Sequence, residues 1–208
     1  MRLKQRGDTI IEVLFAVTVF AMVAVGSMAI MNQGTASAQR ALEITLVRQQ
    51  IDSEAQAIRY IHQAYIASYQ KDGTPPTGIA AEWPKLTNKA TGKGANGASD
   101  FGATNGSACP STVPGEKPFL VNARTAQLWN GAPSMSAPPG GSFPPFAQII
   151  YNPDSSINSA YGLWVEAVPS TNVDGPGFVD FHIRACWDTI GSSNPVTLGT
   201  IVRLYEPR

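Results

Sequence analysis

From Val13 to Met31 the chain carries no charged residue and is apolar at nearly every position, a run of 19 residues. A helix rising about 1.5 Å per residue needs about 20 residues to cross about 30 Å of hydrocarbon, so this run predicts a membrane-spanning helix. The pattern then changes. Between Ala38 and Tyr69, the residues Ile44, Val47, Ile51, Ala55, Ile58, Ile61, Tyr65 and Tyr69 recur three or four positions apart without Pro or Gly, which predicts an amphipathic helix. Its wet side is expected to carry Glu43, Arg48, Asp52, Glu54 and Arg59. The segment Asn32 to Ser37 contains Gly34 but no proline, so the two helices are expected to run together as one rod. Asp72-Gly73 and Pro75-Pro76 then stop it.

From Gly73 to Pro145, Gly, Pro, Asn, Ser and Thr dominate, and the segment reads as loop tied down by Cys109, Trp83 and Trp129. Pro138-Pro139 and Pro144-Pro145 precede four expected strands, Phe146 to Tyr151, Tyr161 to Val168, Phe178 to Trp187 and Val196 to Tyr205. Asn152-Pro153-Asp154, Asp174-Gly175-Pro176 and Gly191 to Pro195 supply turns, so an antiparallel meander is expected. Within the third strand Val179, Phe181, Ile183 and Ala185 alternate with Phe178, Asp180, His182, Arg184 and Cys186, the mark of one buried face and one wet face. The fold class is therefore α+β, a long N-terminal helix on a C-terminal antiparallel sheet. Five segments are expected: a leader over 1–7, an apolar helix over 8–37, an amphipathic helix over 38–72, a loop region over 73–145 and a sheet over 146–208.

Charge changes this picture only at the start of the chain. Lys plus Arg and Asp plus Glu number 15 each, so no global field draws the protein toward nucleic acid. Lys85, Lys89 and Lys93 form a thin basic patch that reads as a solvated loop. Cys109 and Cys186 stand far apart with no CxxC pair and no neighbouring His, which excludes zinc-site and thioredoxin-like spacings. One structural disulfide in an exported domain is the expectation, with two buried thiols as the alternative. No catalytic motif is present: there is no GxSxG, HExxH, P-loop or GxGxxG. His62 and His182 lie outside any metal-ligand spacing and read as surface or half-buried histidines. Asp154, Asp174 and Asp180 fall in or near turns but lack a dense Ca²⁺ loop, and Trp83, Trp129, Trp164 and Trp187 read as head aromatics. No cofactor, metal or enzymatic activity is expected.

Arg2, Lys4 and Arg6 precede Gly7 and hold the N-terminus on the cytoplasmic side, with everything beyond about Asn32 outside. A secretory signal would have a shorter apolar core; Ala36-Ser37-Ala38 is its only formal cut site. Glu12 then enters an apolar stretch with no Lys or Arg until Arg40, and such a carboxylate costs about 2.5–3.5 kcal/mol at the centre of a membrane helix. At the headgroup level the helix N-terminus would favour it instead. The segment Gly7-Asp8-Thr9-Ile10-Ile11-Glu12-Val13-Leu14 resembles the class III leader of type IV prepilins, in which a short basic leader ends in Gly and the mature chain carries Glu as its fifth residue. With Asp8 as the first residue, Glu12 is the fifth. Asp8 stands where that family commonly has Phe or Met, and the helix lacks the proline many members carry, leaving Gly26-Ser27 as its only weak point.

The resemblance implies cleavage between Gly7 and Asp8 by a prepilin peptidase, with N-methylation of the new terminus. It also implies that the amine of Asp8 in an incoming subunit meets Glu12 of a subunit already placed. Such a pair offsets the burial of each charge and selects one axial register, because other staggers leave both unpaired. The implied function is a major or minor pilin of a type IV pilus-like filament (a fimbrium) on the cell surface, serving motility, adhesion or DNA uptake. The implied partners are other pilin subunits, the prepilin peptidase, a membrane assembly platform with its ATPase, and membrane lipid. A pseudopilin of a type II secretion system shares this N-terminus. A permanently anchored single-pass binding protein and an exported hydrolase are readings from other classes.

Overall fold

The computed structural model describes residues 8–70, 72–90, 109–113, 117–136, 144–170, 177–189 and 194–207. It is α+β, with one long N-terminal helix followed by antiparallel strands. Helix α1 runs unbroken over Asp8–Ser68, so the two sequence patterns lie on one helix. The chain separates into two compact units, Met1–Leu42 and Glu43–Arg208, and α1 contributes to both. No proline interrupts α1, and Gly26 and Gly34 each lie in open space on it. Gly73 lies beyond its end at φ +80°, a conformation that L side chains rarely adopt, and the Thr74 N–H caps on Asp72 Oδ1 at 2.9 Å.

In the second unit, Val47, Ile51, Ala55, Ile58 and Ile61 of α1 are buried, each at most 4 % exposed. Full burial of one such Val or Ile contributes about 1.5–3 kcal/mol. They share a core with Leu163, Val165, Phe181, Ile183 and Val202. The last three strands, β5 (Leu163–Pro169), β6 (Phe178–Trp187) and β7 (Val196–Tyr205), form a three-stranded meander in the order β5-β6-β7. The first expected strand does not join it. Gln148–Tyr151 (β3) pairs instead with Ile157–Tyr161 (β4), a segment between the expected turn at Asn152-Pro153-Asp154 and the expected strand from Tyr161, to which the sequence pattern assigned no strand before Tyr161. Gly162 is the cause. Its φ of +66° bends the chain between β4 and β5, and a Cβ there would sit 2.5 Å from the Cys186 carbonyl oxygen.

The stretch expected as loop also contains structure. A 3-10 turn over Gly78–Ala81 leads into the short helix α2 (Glu82–Thr87). Pro84 is tolerated in α2 because the first turn needs no intrahelical N–H. Val121–Asn122 (β1) and Gln127–Leu128 (β2) form a hairpin in which Val121 faces Leu128. Its turn is drawn closed by the Ala126 N–H on the Asn122 carbonyl at 2.7 Å and the Arg124 N–H on Asn122 Oδ1 at 2.9 Å. Trp83, Leu86, Phe119, Leu120 and Val121 from this stretch all enter the core. Cys109 and Cys186 are joined in a disulfide that closes a loop of 77 residues in sequence separation.

Alternation along β6 holds from Phe178 to Ile183 and then fails, because Arg184 and Cys186 are buried as well. Cys186 is drawn in by its disulfide. The wet side of α1 also needs correction: Arg48, Asp52 and Arg59 are exposed, but Glu43 and Glu54 are 8 % and 0 % exposed. Their physical reason lies in what they bind.

Candidate functional site

Two stretches of α1 carry the chemistry. In the first unit, fourteen large apolar side chains between Ile10 and Met31 are exposed, among them Phe15 at 71 %, Phe20 at 74 % and Met22 at 77 %. They point all round the helix. A monomeric soluble protein rarely exposes a contiguous apolar patch beyond a few hundred Å². Two hydroxyls within this stretch turn inward on their own helix: Thr18 Oγ1 donates to the Phe15 carbonyl at 2.8 Å and Ser27 Oγ to the Val23 carbonyl at 2.7 Å. Both are satisfied within their own helix. By length and composition this helix can cross a membrane.

Glu12 interrupts that surface near its start and is itself exposed. Among the described residues it makes no hydrogen bond or ion pair. Asp8 opens α1, and Gly7, the other residue of the expected cleavage site, lies outside the described residues.

In the second unit, α1 bears four polar side chains that each hold a different strand or strand end. Glu43 Oε2 accepts from Trp187 Nε1 at 3.2 Å and from Thr189 Oγ1 at 2.7 Å. Gln50 Oε1 accepts from the Ile149 N–H at 2.9 Å, and Glu54 Oε2 from the Val121 N–H at 3.0 Å. His62 Nε2 donates to the Tyr205 carbonyl at 2.8 Å while its ring lies 4.7 Å from that of Trp83. Three of the four thus satisfy backbone groups in or at the end of a strand, and Glu43 satisfies two side-chain donors at and just beyond the end of β6. Sequence reasoning placed Glu43 and Glu54 in water because they are acidic. Position gave the opposite signal: Glu54 lies seven residues from both Val47 and Ile61, two turns each way, and so on their side of the helix.

Glu54 is the exceptional member. Its Oε1 is buried and, among the described residues, has no hydrogen-bond partner. Burial pushes its carboxyl up to about 8, against the opposing pull of the Val121 N–H. Tyr151 is raised by burial and then by the charge of Glu54, with Arg124, whose guanidinium sits 4.1 Å over the Tyr151 ring, opposing.

The remaining sequence candidates are engaged structurally. Asp180 receives Arg203 through both carboxylate oxygens, each at 2.7 Å. Asp154 accepts from Ser156 Oγ and N–H, which hold it below the usual carboxylate range, and Asp174 lies outside the described residues. Among the described residues no cluster of His, Cys, Asp and Glu could hold a metal ion. His182 is half-buried with Nδ1 accepting from Arg184 Nη2 at 3.3 Å, and burial followed by the Arg184 charge lowers its affinity for a proton. Trp83, Trp164 and Trp187 are buried and Trp129 is half-buried. Lys85 pairs with Glu82 at 2.6 Å; Lys89 is half-buried, and Lys93 lies outside the described residues. No family model matches the chain, and neither a curated protein nor a solved structure matches it.

Proposed function

We propose that the chain is a pilin-like subunit of a membrane-assembled filament, in which the apolar part of α1 lies in the bilayer before assembly and among neighbouring helices after it. The observation that carries the reading is the exposed apolar surface from Ile10 to Met31, on a helix whose other half is fastened into a disulfide-bonded head. Lipid and a bundle of like helices are equivalent solvents for such a surface, so one segment serves both storage and assembly. The pattern from Gly7 to Leu14, with Glu12 as the fifth residue of the expected mature chain and without a partner among the described residues, favours the filament over a permanent anchor. Asp8 and Glu12 then set register between subunits. A repeated contact that does not close gives an open helical filament.

The other parties are a prepilin peptidase, a membrane platform with its ATPase, and further subunits. A surface pilus and a secretion pseudopilus differ here only in the machine that builds them, and loss of long surface fibres on deletion identifies the pilus. The primary test is intact mass and N-terminal sequencing after co-expression with a prepilin peptidase, beside Gly7→Ala. A mature chain beginning at Asp8 in the wild type alone is expected. An uncut chain under an active peptidase returns the protein to the permanently anchored class.

A further inference from the structure

The β1–β2 hairpin is clasped on both strands by glutamates from two different helices. The Val121 N–H donates to Glu54 of α1 at 3.0 Å, and the N–H of its cross-strand partner Leu128 donates to Glu82 of α2 at 3.0 Å. The two clasps differ in one respect. Glu82 has its own cation, Lys85 Nζ at 2.6 Å, whereas Glu54 is wholly buried and, among the described residues, has no cation and leaves Oε1 without a hydrogen-bond partner. One helical turn earlier, Gln50 performs the same task on the Ile149 N–H with a neutral amide. An amide therefore suffices to hold a strand end on this helix, and the acid at position 54 adds only a proton that can leave.

We propose that Glu54 is a proton-operated clasp: protonated, it holds the β1–β2 hairpin to α1, and an anionic Glu54 favours release of the hairpin. Burying an unpaired hydroxyl is tolerable, at about 1–3 kcal/mol, while burying an unpaired carboxylate costs several. The groups that surround the clasp do not change this. From β3, Tyr151 offers a phenol whose own ionisation the Glu54 charge opposes; from the hairpin turn, Arg124 is spent over the Tyr151 ring at 4.1 Å; from α2, Glu82 is matched by Lys85. Release has a consequence at the surface. Ala123, Arg124, Thr125 and Ala126 of the hairpin turn form one wall of a groove of about 380 Å³ whose other wall is Gln56 and Tyr60 of α1. The clasp thereby sets whether that groove is closed against the helix.

The sign follows from linkage. With the folded carboxyl raised to about 8 from an ordinary 4.5, the clasp is tightest below the ordinary value, loosens as pH rises through the interval between them, and is level above about 8. The test uses the full chain in detergent micelles. Carboxyl ¹³C NMR, with the Glu54 signal assigned by its absence in Glu54→Gln, reads the titration, and amide exchange reads the protection factor of Val121. The expected result is titration near 8, with Val121 protection falling by roughly tenfold per pH unit from 5 to 8 in the wild type and staying flat in Glu54→Gln. Titration below about 5, or parallel pH profiles in the two proteins, overturns the proposal. Should the variant fail to fold, the pH course of Val121 protection in the wild type decides it, and a protection that stays constant from pH 5 to 8 overturns the proposal.

Discussion

At the residue scale, one helix side chain can decide whether a strand end is satisfied or orphaned. Glu43 takes two donors at once, Trp187 Nε1 and Thr189 Oγ1, both in the interior. Glu43→Ala removes the acceptor of both and is expected to lower stability by about 2–4 kcal/mol, while Arg48→Ala, five residues on and on the wet side, stays within about 0.5 kcal/mol. Urea unfolding followed by tryptophan fluorescence measures both, and equal losses would show that Glu43 is held by burial alone. Gly162 is a residue of the second kind, fixed by backbone geometry. Gly162→Ala meets the Cys186 carbonyl oxygen at 2.5 Å and a φ of +66°, so a loss of at least about 1–3 kcal/mol is expected in the same assay. The sequence alone marks neither role. Acidity speaks for water at position 43, and a glycine between two apolar strands reads as one more strand residue.

At the element scale the long periodic segments were legible and the short ones were not. Sixty-one residues of α1 announce themselves, because an all-apolar run and a run of 3–4 periodicity are each long enough to average out exceptions. The three strands of the meander were legible for the same reason, by alternation and turn residues. The β1–β2 hairpin and α2 escape because each is only two to six residues long and takes its stability from tertiary contact with α1. β4 escapes because Asn158 and Ser159 interrupt its apolar pattern. The disulfide ties the end of β6 to Cys109, in the Gly- and Pro-rich stretch that reads as loop. Reducing it, or replacing both cysteines by serine, frees a 77-residue loop in the unfolded chain and is expected to cost about 4–5 kcal/mol. For a head of this size that is a fall in Tm of roughly 10–20 °C, measured by calorimetry of oxidised and reduced protein. An unchanged Tm would assign the hold on this region to Phe119, Leu120 and Val121 instead.

At the scale of the whole molecule, the apolar surface of α1 and the charge on Glu12 pull in opposite directions, and the proposed filament is the state that reconciles them. In lipid, Glu12 raises the cost of insertion; its neutral isostere should therefore enter a membrane at least as well as the wild type. In a filament, Glu12 would be the partner of a neighbouring subunit's terminal amine, and the isostere leaves that amine buried and unpaired, at several kcal/mol for each subunit added. Glu12→Gln is thus expected to remain in the membrane fraction after a carbonate wash, to be cut before Asp8 as the wild type is, and to give at least tenfold less sheared surface filament. A permanent anchor predicts something else: identical membrane retention, no cut and no filament in either protein. If the variant assembles at wild-type yield, Glu12 does not set the register, and the head must do so. The polar side chains of α1 that grip the strand ends would then have to align neighbouring subunits as well as fasten each head to its own helix.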